Sequence, residues 1–154
     1  MIFSRTSQYA IQTLIYIATQ PPGRPILARD VAERLGVPAA YLAKIMQTLS
    51  KGNLLASYRG PQGGFRLRQG ADKTDLMQIV NLTEGAGFVE SCVLGLKICS
   101  DSTPCPMHAK WKPIKQEVLN LLQEQTLEML AAAVTSGQYR IADLPMAALS
   151  NIRD

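Results

Sequence analysis

The stretch ARDVAERLGVPAAYLAKIMQTLSK, residues 28–51, decides the fold of this chain. Its apolar residues recur at helical spacing on both sides of Gly36, which predicts helices over about 28–35 and 39–51. A glycine at the end of the first helix permits the left-handed turn that reverses the chain sharply. Two short helices joined in this way, the second with small and polar residues at its start, are typical of a helix-turn-helix. The buried stripe predicted for the second helix is Leu42, Ile45, Met46 and Leu49.

A β-hairpin is predicted directly after the second helix. Residues 54–59 have strand composition, residues 60–64 read GPQGG, and residues 65–68 alternate apolar and basic side chains. The pattern indicates a winged helix-turn-helix, with Arg59 beside the wing tip and able to enter a minor groove. A plain hairpin turn and a phosphate loop for a nucleotide are the alternatives. The Gly-Lys-Ser/Thr that follows in a P-loop is absent, which disfavours the second.

The basic residues are concentrated in the N-terminal half. Residues 1–70 carry nine Lys or Arg against two acidic residues, a net +7, whereas residues 71–154 carry seven basic and ten acidic residues, a net −3. This asymmetry favours a polyanion bound at one end, although a solvated basic face would look similar. Tyr41 is equally compatible with a core aromatic. The predicted DNA contacts are Ala39, Ala40, Tyr41, Lys44, Arg59, Gly60, Pro61, Gln62, Gly63 and Arg66, and Arg68 is placed to meet phosphates with Arg66.

Four further segments complete a mainly α prediction. Helices are expected from Ser4 to about Thr19 and over about 75–84, and a short last helix from Thr126 to about Val134. Trp111, Ile114, Val118, Leu121 and Leu122 lie at helical spacing, in a helix that either starts near Lys112 or kinks at Pro113. The stripe of this long helix suits an identical helix of a second subunit, and packing against its own winged domain is the alternative. The predicted division is 1–84 winged domain, 85–108 ligand-binding loop, 109–134 dimerisation helix region and 135–154 C-terminal tail.

Composition limits the class of protein. A chain of 154 residues with 47% apolar residues fits one domain, or a small module with an attached arm. We expect it to be cytoplasmic, because the N-terminus lacks a basic leader with a long apolar segment and no apolar run is as long as a membrane span. In that compartment three cysteines favour metal binding or redox chemistry over a disulfide framework.

Cys92, Cys99, Cys105 and the only histidine, His108, fall within 17 residues. Three thiols and an imidazole make a four-ligand set for a transition metal or an iron–sulfur cluster. The segment has little helical or strand periodicity, which is uncommon in a compact domain unless the segment binds something. Structural zinc is a second interpretation, disfavoured because no Cys-x-x-Cys pair is present. An enzyme with Cys105 as nucleophile and His108 as base is a third, but no oxyanion or substrate feature accompanies the pair.

Together these features resemble the Rrf family of bacterial winged-helix regulators, over about residues 1–133. The most specific motifs are Arg59-Gly60-Pro61-Gln62-Gly63-Gly64-Phe65, Tyr9-Ala10, Tyr41-Leu42, Ile79-Val80 with Glu84-Gly85, Thr126-Leu127 and the three cysteines.

The resemblance implies a homodimeric transcription factor on a palindromic operator. It also implies an iron–sulfur cluster, 2Fe–2S or 4Fe–4S, bound through the three cysteines, and no small-molecule substrate. In IscR-like members the fourth ligand is a histidine placed as His108 is; in NsrR-like members it is an aspartate from the partner subunit at the position of Gln8. A glutamine is a poor anionic ligand, which favours His108.

Overall fold

A computed structural model describes residues 3–141, apart from the side chain of Ala86. The mainly α class with a two-stranded wing is confirmed. Residues 142–154, most of the predicted tail, lie outside the described residues. The elements are α1 (Arg5–Ala18), α2 (Ala28–Leu35), α3 (Ala39–Lys51), β1 (Leu55–Tyr58), β2 (Gly64–Leu67), α4 (Leu76–Glu84), α5 (His108–Glu124) and α6 (Leu127–Thr135), with short 3-10 turns at Ala71–Lys73 and Ala86–Phe88.

Local capping explains where several helices begin and end. The Ser4 side chain accepts a hydrogen bond from the Ser7 backbone N–H at the start of α1, and Thr126 accepts one from Met129 at the start of α6. Each satisfies a backbone N–H that the first helical turn leaves without a partner. Gly36 ends α2 with φ +67°, the left-handed conformation that lets α3 follow at once.

The core of the winged domain lies between α1, α2, α3 and the hairpin. Leu14 of α1, Leu42 of α3 and Leu55 of β1 are at most 1% exposed. The last helix belongs to the same core, because Leu127 is fully buried and α6 packs against α1. Burying such side chains stabilises a fold by roughly 1.5–3 kcal/mol each. A single apolar core therefore holds together elements from both ends of the described chain.

The wing is anchored to the segment that precedes α2. β1 and β2 pair antiparallel, with Leu55 opposite Leu67 and Tyr58 opposite Gly64. Ile26 and Phe65 exchange two backbone hydrogen bonds of 2.8 Å, which adds a third extended segment beside β2. A Cβ at Gly64 would lie 2.7 Å from the Ile26 carbonyl oxygen, so this close approach requires glycine.

The long helix α5 starts earlier than Lys112, which was one of the two predictions for this segment. It begins at His108 and contains Pro113, so a start near Lys112 is wrong. Pro113 lies just past the first turn, where proline cannot donate a hydrogen bond to the Ala109 carbonyl and its ring crowds that carbonyl, yet helical backbone continues on both sides of it. Leu122 of α5 is buried within this chain, whereas Ile114 and Leu121 are more than half exposed.

Residues 89–107 contain neither helix nor strand and are called the cysteine loop below. The loop connects the 3-10 turn after α4 to the start of α5. Within residues 3–141, no helix is both long and apolar enough to cross a bilayer.

Candidate nucleic-acid interface and metal centre

The start of α3 presents small side chains to solvent. Ala39 and Ala40 are exposed small residues, which allow a helix to approach base edges closely. Lys44, one turn further along α3, is exposed as well. Tyr41 differs, because its hydroxyl shares a 2.5 Å hydrogen bond with the Thr6 hydroxyl and its ring lies edge-on to Tyr9. These contacts tie Tyr41 to α1, so the fold already uses its polar atom.

Turn geometry accounts for the glycines at the wing tip. The Gly63 N–H donates to the Gly60 carbonyl over 2.9 Å, and Gly60 has φ +95°. A Cβ at Gly63 would lie 2.6 Å from the Tyr58 carbonyl oxygen. Arg59, Gly60, Pro61 and Gln62 are all exposed around this turn. The tip is therefore a tight, accessible projection with a guanidinium at its base.

The remaining arginines of the wing have intramolecular partners. The Arg66 guanidinium lies over the Tyr58 ring, 4.5 Å from its centroid, and the Arg66 side chain is half-buried. Arg68 donates a 2.7 Å hydrogen bond to the Asn53 side chain. Arg66 is thus held along the hairpin and is less accessible than Arg59.

The structure brings the four predicted metal ligands together as two close pairs. The Cys92 and Cys105 sulfurs are 3.5 Å apart, and the Cys99 sulfur is 3.5 Å from His108 Nδ1. Cys92 and His108 are buried, and the other two are half-buried. Within residues 3–141, no three His, Cys, Asp or Glu side chains are grouped so as to hold one metal ion.

Backbone hydrogen bonds shape the loop around these pairs. The Cys99 N–H donates to the Glu90 carbonyl over 2.9 Å, and the His108 N–H donates to the Cys105 carbonyl over 3.0 Å. The backbone N–H of Leu94 lowers the pKa of the Cys92 thiol, since a hydrogen bond to the thiolate favours the charged form. A lower pKa raises the share of Cys92 in the thiolate form, which is the form of cysteine that binds metals.

A carboxylate that the sequence prediction missed lies behind the histidine. Asp101 Oδ1 is 2.8 Å from His108 Nε2, and the Lys112 ammonium lies 2.7 and 2.8 Å from the two Asp101 oxygens. The hydrogen bond from Lys112, and then the one from His108, lowers the pKa of the Asp101 carboxyl. An acceptor at Nε2 leaves Nδ1, the atom beside Cys99, free to act as a ligand. Lys112 follows His108 by one helical turn, so both side chains lie on the same face of α5. That spacing is the sequence signal that could have suggested a shared acidic partner such as Asp101.

Each pair of donor atoms has nearly the separation of two ligands on one tetrahedral metal ion. With metal–sulfur bonds of about 2.3 Å and metal–nitrogen bonds of about 2.0–2.1 Å, two sulfurs on one tetrahedral metal lie about 3.8 Å apart, and a sulfur and a nitrogen about 3.6 Å apart. Both observed separations of 3.5 Å are close to these edges. Two ligands for each of two irons is the arrangement of a 2Fe–2S cluster.

A second contact that the prediction missed connects α1 to the end of α4. Glu84 Oε1 accepts hydrogen bonds of 2.8 Å from the Ser4 backbone N–H and 2.5 Å from the Ser7 hydroxyl. The Ser7 and Thr83 hydroxyls are 2.6 Å apart. Partial burial alone would raise the pKa of Glu84, but the hydrogen bonds from Ser4 and Ser7 lower it overall. This polar connection lies immediately before the segment that leads into the cysteine loop.

Comparison with known proteins identifies the family. The family model Rrf2, described as an iron-dependent transcriptional regulator, matches residues 3–133. A protein of Aquifex aeolicus named as an HTH-type transcriptional regulator is 34% identical over 132 residues, 84% of this chain and 91% of that protein. The HTH-type transcriptional regulator IscR of Pectobacterium atrosepticum is 25% identical over 130 residues, 84% of this chain and 79% of IscR.

Solved structures agree with this fold. CymR, the global cysteine regulator of B. subtilis, superposes with a TM-score of 0.70 at 26% identity, covering 85% of this chain and 96% of CymR. T. potens IscR superposes with a TM-score of 0.69 at 23% identity, covering 89% of this chain and 90% of that one. These relatives are transcriptional regulators, so the Cys/His enzyme hypothesis is wrong. The chain is a DNA-binding transcriptional regulator that belongs to the Rrf2 family.

Proposed function

We propose that this regulator binds an iron–sulfur cluster through Cys92, Cys99, Cys105 and His108, and that the cluster controls its affinity for an operator. The observation that carries the proposal is that the three cysteines of the cysteine loop and His108, the first residue of α5, form two pairs with 3.5 Å separations. The signal is then the state of the cluster itself, set by iron supply, redox conditions or nitric oxide. When bound, such a cluster supplies an oxidisable and removable centre to a loop that the core does not hold.

The paired geometry favours 2Fe–2S over the alternatives. In a 4Fe–4S cluster each iron takes one protein ligand, which does not call for close ligand pairs. A structural zinc ion needs four ligands around one centre, and the side chains of residues 3–141 do not form such a group. Asp101 and Lys112 would orient His108 toward the cluster, as outer residues commonly do for metal-bound histidines.

The cysteine loop is connected to the DNA-reading elements by a short path through the fold. Glu84, at the end of α4, holds Ser4 and Ser7 of the α1 N-terminal region. In the same first turn of α1, Thr6 contacts the Tyr41 hydroxyl of α3. A change in the cysteine loop that moved the end of α4 would therefore move α1 through the Glu84 contacts, and α1 would move α3 through the Thr6–Tyr41 contact. A path of contacts carries regulation only if the cluster-bound and cluster-free states differ in energy at both of its ends.

The DNA interface we propose consists of the α3 N-terminus and the wing tip. Exposed Ala39, Ala40 and Lys44 would face the major groove, and Arg59 with the accessible wing turn would contact the minor groove or the phosphates. Tyr41 would position α3 through its contacts with α1 in addition to any contact with DNA. Arg66 and Gly63 lie behind the tip and would support its shape.

We further propose a homodimer formed through α5. Ile114 and Leu121 are 51% and 56% exposed, on the same helical face as half-buried Trp111 and Val118. A second copy of the chain would cover this stripe. The dimer would then present two winged domains related by a two-fold axis, which matches a palindromic operator. In sedimentation experiments Leu121→Asp should shift the protein to monomer. Gln123→Asp, on the opposite face of α5, should not.

The central test is spectroscopy of anaerobically purified protein, with counts of iron and sulfide. Two irons and two sulfides per chain, with visible absorption, are expected for the wild type, and loss of both for Cys92→Ala, Cys99→Ala and Cys105→Ala. Operator affinity is then measured before and after the cluster is removed with oxygen, nitric oxide or a chelator. A colourless protein that holds one zinc, or equal operator affinity with and without the cluster, would overturn the proposal.

A further inference from the structure

Two of the three thiols are already neighbours, and the third is not paired with either of them. The Cys92 and Cys105 sulfurs lie 3.5 Å apart, whereas the Cys99 sulfur lies beside the imidazole of His108. A disulfide requires about 2.0 Å between the sulfurs, so Cys92 and Cys105 need to approach by about 1.5 Å. The hydrogen bonds that hold Cys92 and Cys105 join backbone atoms, from Gly95 N–H to the Cys92 carbonyl at 2.9 Å and from His108 N–H to the Cys105 carbonyl at 3.0 Å, so side-chain rotation can bring the sulfurs together without breaking them.

We propose that, in the metal-free protein, Cys92 and Cys105 form an intrachain disulfide when the chain meets a peroxide, and that Cys99 remains a thiol. The inference goes beyond the cluster, because it concerns the chain without the cluster and holds whether or not iron is the natural ligand. It defines a modification site with a fixed pairing out of the three pairings that three cysteines allow.

Accessibility decides the order of the two chemical steps. Cys105 is half-buried and Cys92 is only 7% exposed, so within this pair peroxide reaches Cys105 first. The Cys105 sulfur attacks one peroxide oxygen, the O–O bond breaks, and a sulfenic acid and one water form. The Cys92 sulfur then attacks the Cys105 sulfur, the S–O bond breaks, and a second water leaves. In total two thiols lose two hydrogens and the peroxide is reduced to two waters.

Cys99 is held away from this reaction by its own contacts. Its backbone N–H is fixed to the Glu90 carbonyl at 2.9 Å, and its sulfur faces the His108 ring, which Asp101 contacts from the other side. Moving the Cys99 sulfur toward either other cysteine would break the contact with His108. The disulfide would remove one complete ligand pair, so an oxidised chain should not accept a cluster until the disulfide is reduced.

The sequence offers a direct way to read the pairing. Cleavage after Lys97 and before Asp101 places each cysteine on a separate peptide. Metal-free, reduced protein is treated with one equivalent of hydrogen peroxide, remaining thiols are alkylated, and the digest is analysed by mass spectrometry without reductant. The expected result is a peptide linked through Cys92 and Cys105, and alkylated Cys99.

Two matched variants complete the test. Cys99→Ser should form the same disulfide to the same extent, while Cys105→Ser should form no intrachain disulfide, with the fold of both checked by circular dichroism. A linkage that involves Cys99 in most molecules would overturn the proposal, and so would three alkylated thiols after the peroxide has been consumed. Because no iron is present in these experiments, their outcome is separate from that of the cluster proposal.

Discussion

The winged domain and the cysteine loop are held in shape by different forces. The winged domain has a continuous apolar core in which Leu14, Leu42 and Leu127 are fully buried. The cysteine loop leaves most of its large apolar residues exposed and is held by backbone hydrogen bonds and contacts between sulfur, imidazole, carboxylate and ammonium groups. Its exposed large apolar residues are Val93, Leu94, Leu96, Ile98 and Met107.

This difference suits a regulator. Apolar packing is cooperative and does not depend on ligand state, so it suits the part that must keep one shape to read DNA. Polar and sulfur contacts depend on protonation, oxidation and metal binding, so they suit the part that must change. Under the proposed function, the loop would therefore gain or lose a cluster without unfolding α3 and the wing. The following predictions test that separation, from the largest expected effect to the smallest.

Truncating the core should destabilise the protein far more than altering the loop. Leu42→Ala should lower the free energy of unfolding by about 2–5 kcal/mol, because it leaves a cavity under the reading helix. Cys99→Ser in metal-free protein should change it by less than about 0.5 kcal/mol, as expected away from a packed core. Urea denaturation of both variants at one protein concentration measures the two values. Equal losses would show that the loop is part of the core after all.

Removing the wing arginine should weaken DNA binding without affecting the fold. Arg59→Ala should cost roughly 1–3 kcal/mol of binding free energy on an operator obtained by binding-site selection. Lys110→Ala, which removes one exposed positive charge from α5, is the matched control and should have a smaller effect. Fluorescence anisotropy at several salt concentrations measures both. An unchanged affinity for Arg59→Ala would exclude the wing tip from the interface.

The carboxylate behind His108 should affect cluster retention more than stability. Asp101→Ala should lower retention of the cluster roughly 10–100-fold, because the imidazole loses the group that orients it. The stability of the metal-free protein should change little, since Asp101 is a surface side chain. Loss of visible absorbance to a chelator gives the first quantity, with the neighbouring exposed residue changed in Ser102→Ala as the control. Equal retention in the two variants would contradict an orienting role for Asp101.

The Glu84 connection should contribute a pH-dependent part of the stability. Hydrogen bonds from Ser4 and Ser7 lower the pKa of Glu84 in the folded protein, so the carboxylate stabilises the fold at neutral pH. This contribution should fall away as the pH drops through the lowered pKa and the carboxylate becomes protonated. Glu84→Gln should cost about 1 kcal/mol at pH 7 and little at the lowest pH. Thermal unfolding from pH 7 downward measures it, and a constant difference at every pH would contradict the prediction.

Local sequence patterns predicted the helices well because their signals are local. Gly36 and the cap at Ser4 fix helix ends by backbone conformation and by one side-chain hydrogen bond, which depend on nearby residues only. The start of α5 could not be fixed in this way. Pro113 signals an interruption locally, yet the helix extends through it to His108.

By itself, the sequence determined the winged helix-turn-helix, the basic N-terminal half and the close spacing of three cysteines and one histidine, because periodicity, charge and spacing are properties of the order of residues. Only the tertiary structure decided how those four side chains pair, that Asp101 faces His108, and that Glu84 connects α4 to α1. Those contacts join residues up to 80 positions apart or depend on the path of an irregular loop. Their distances are set by how the whole core packs, and no local rule contains that information.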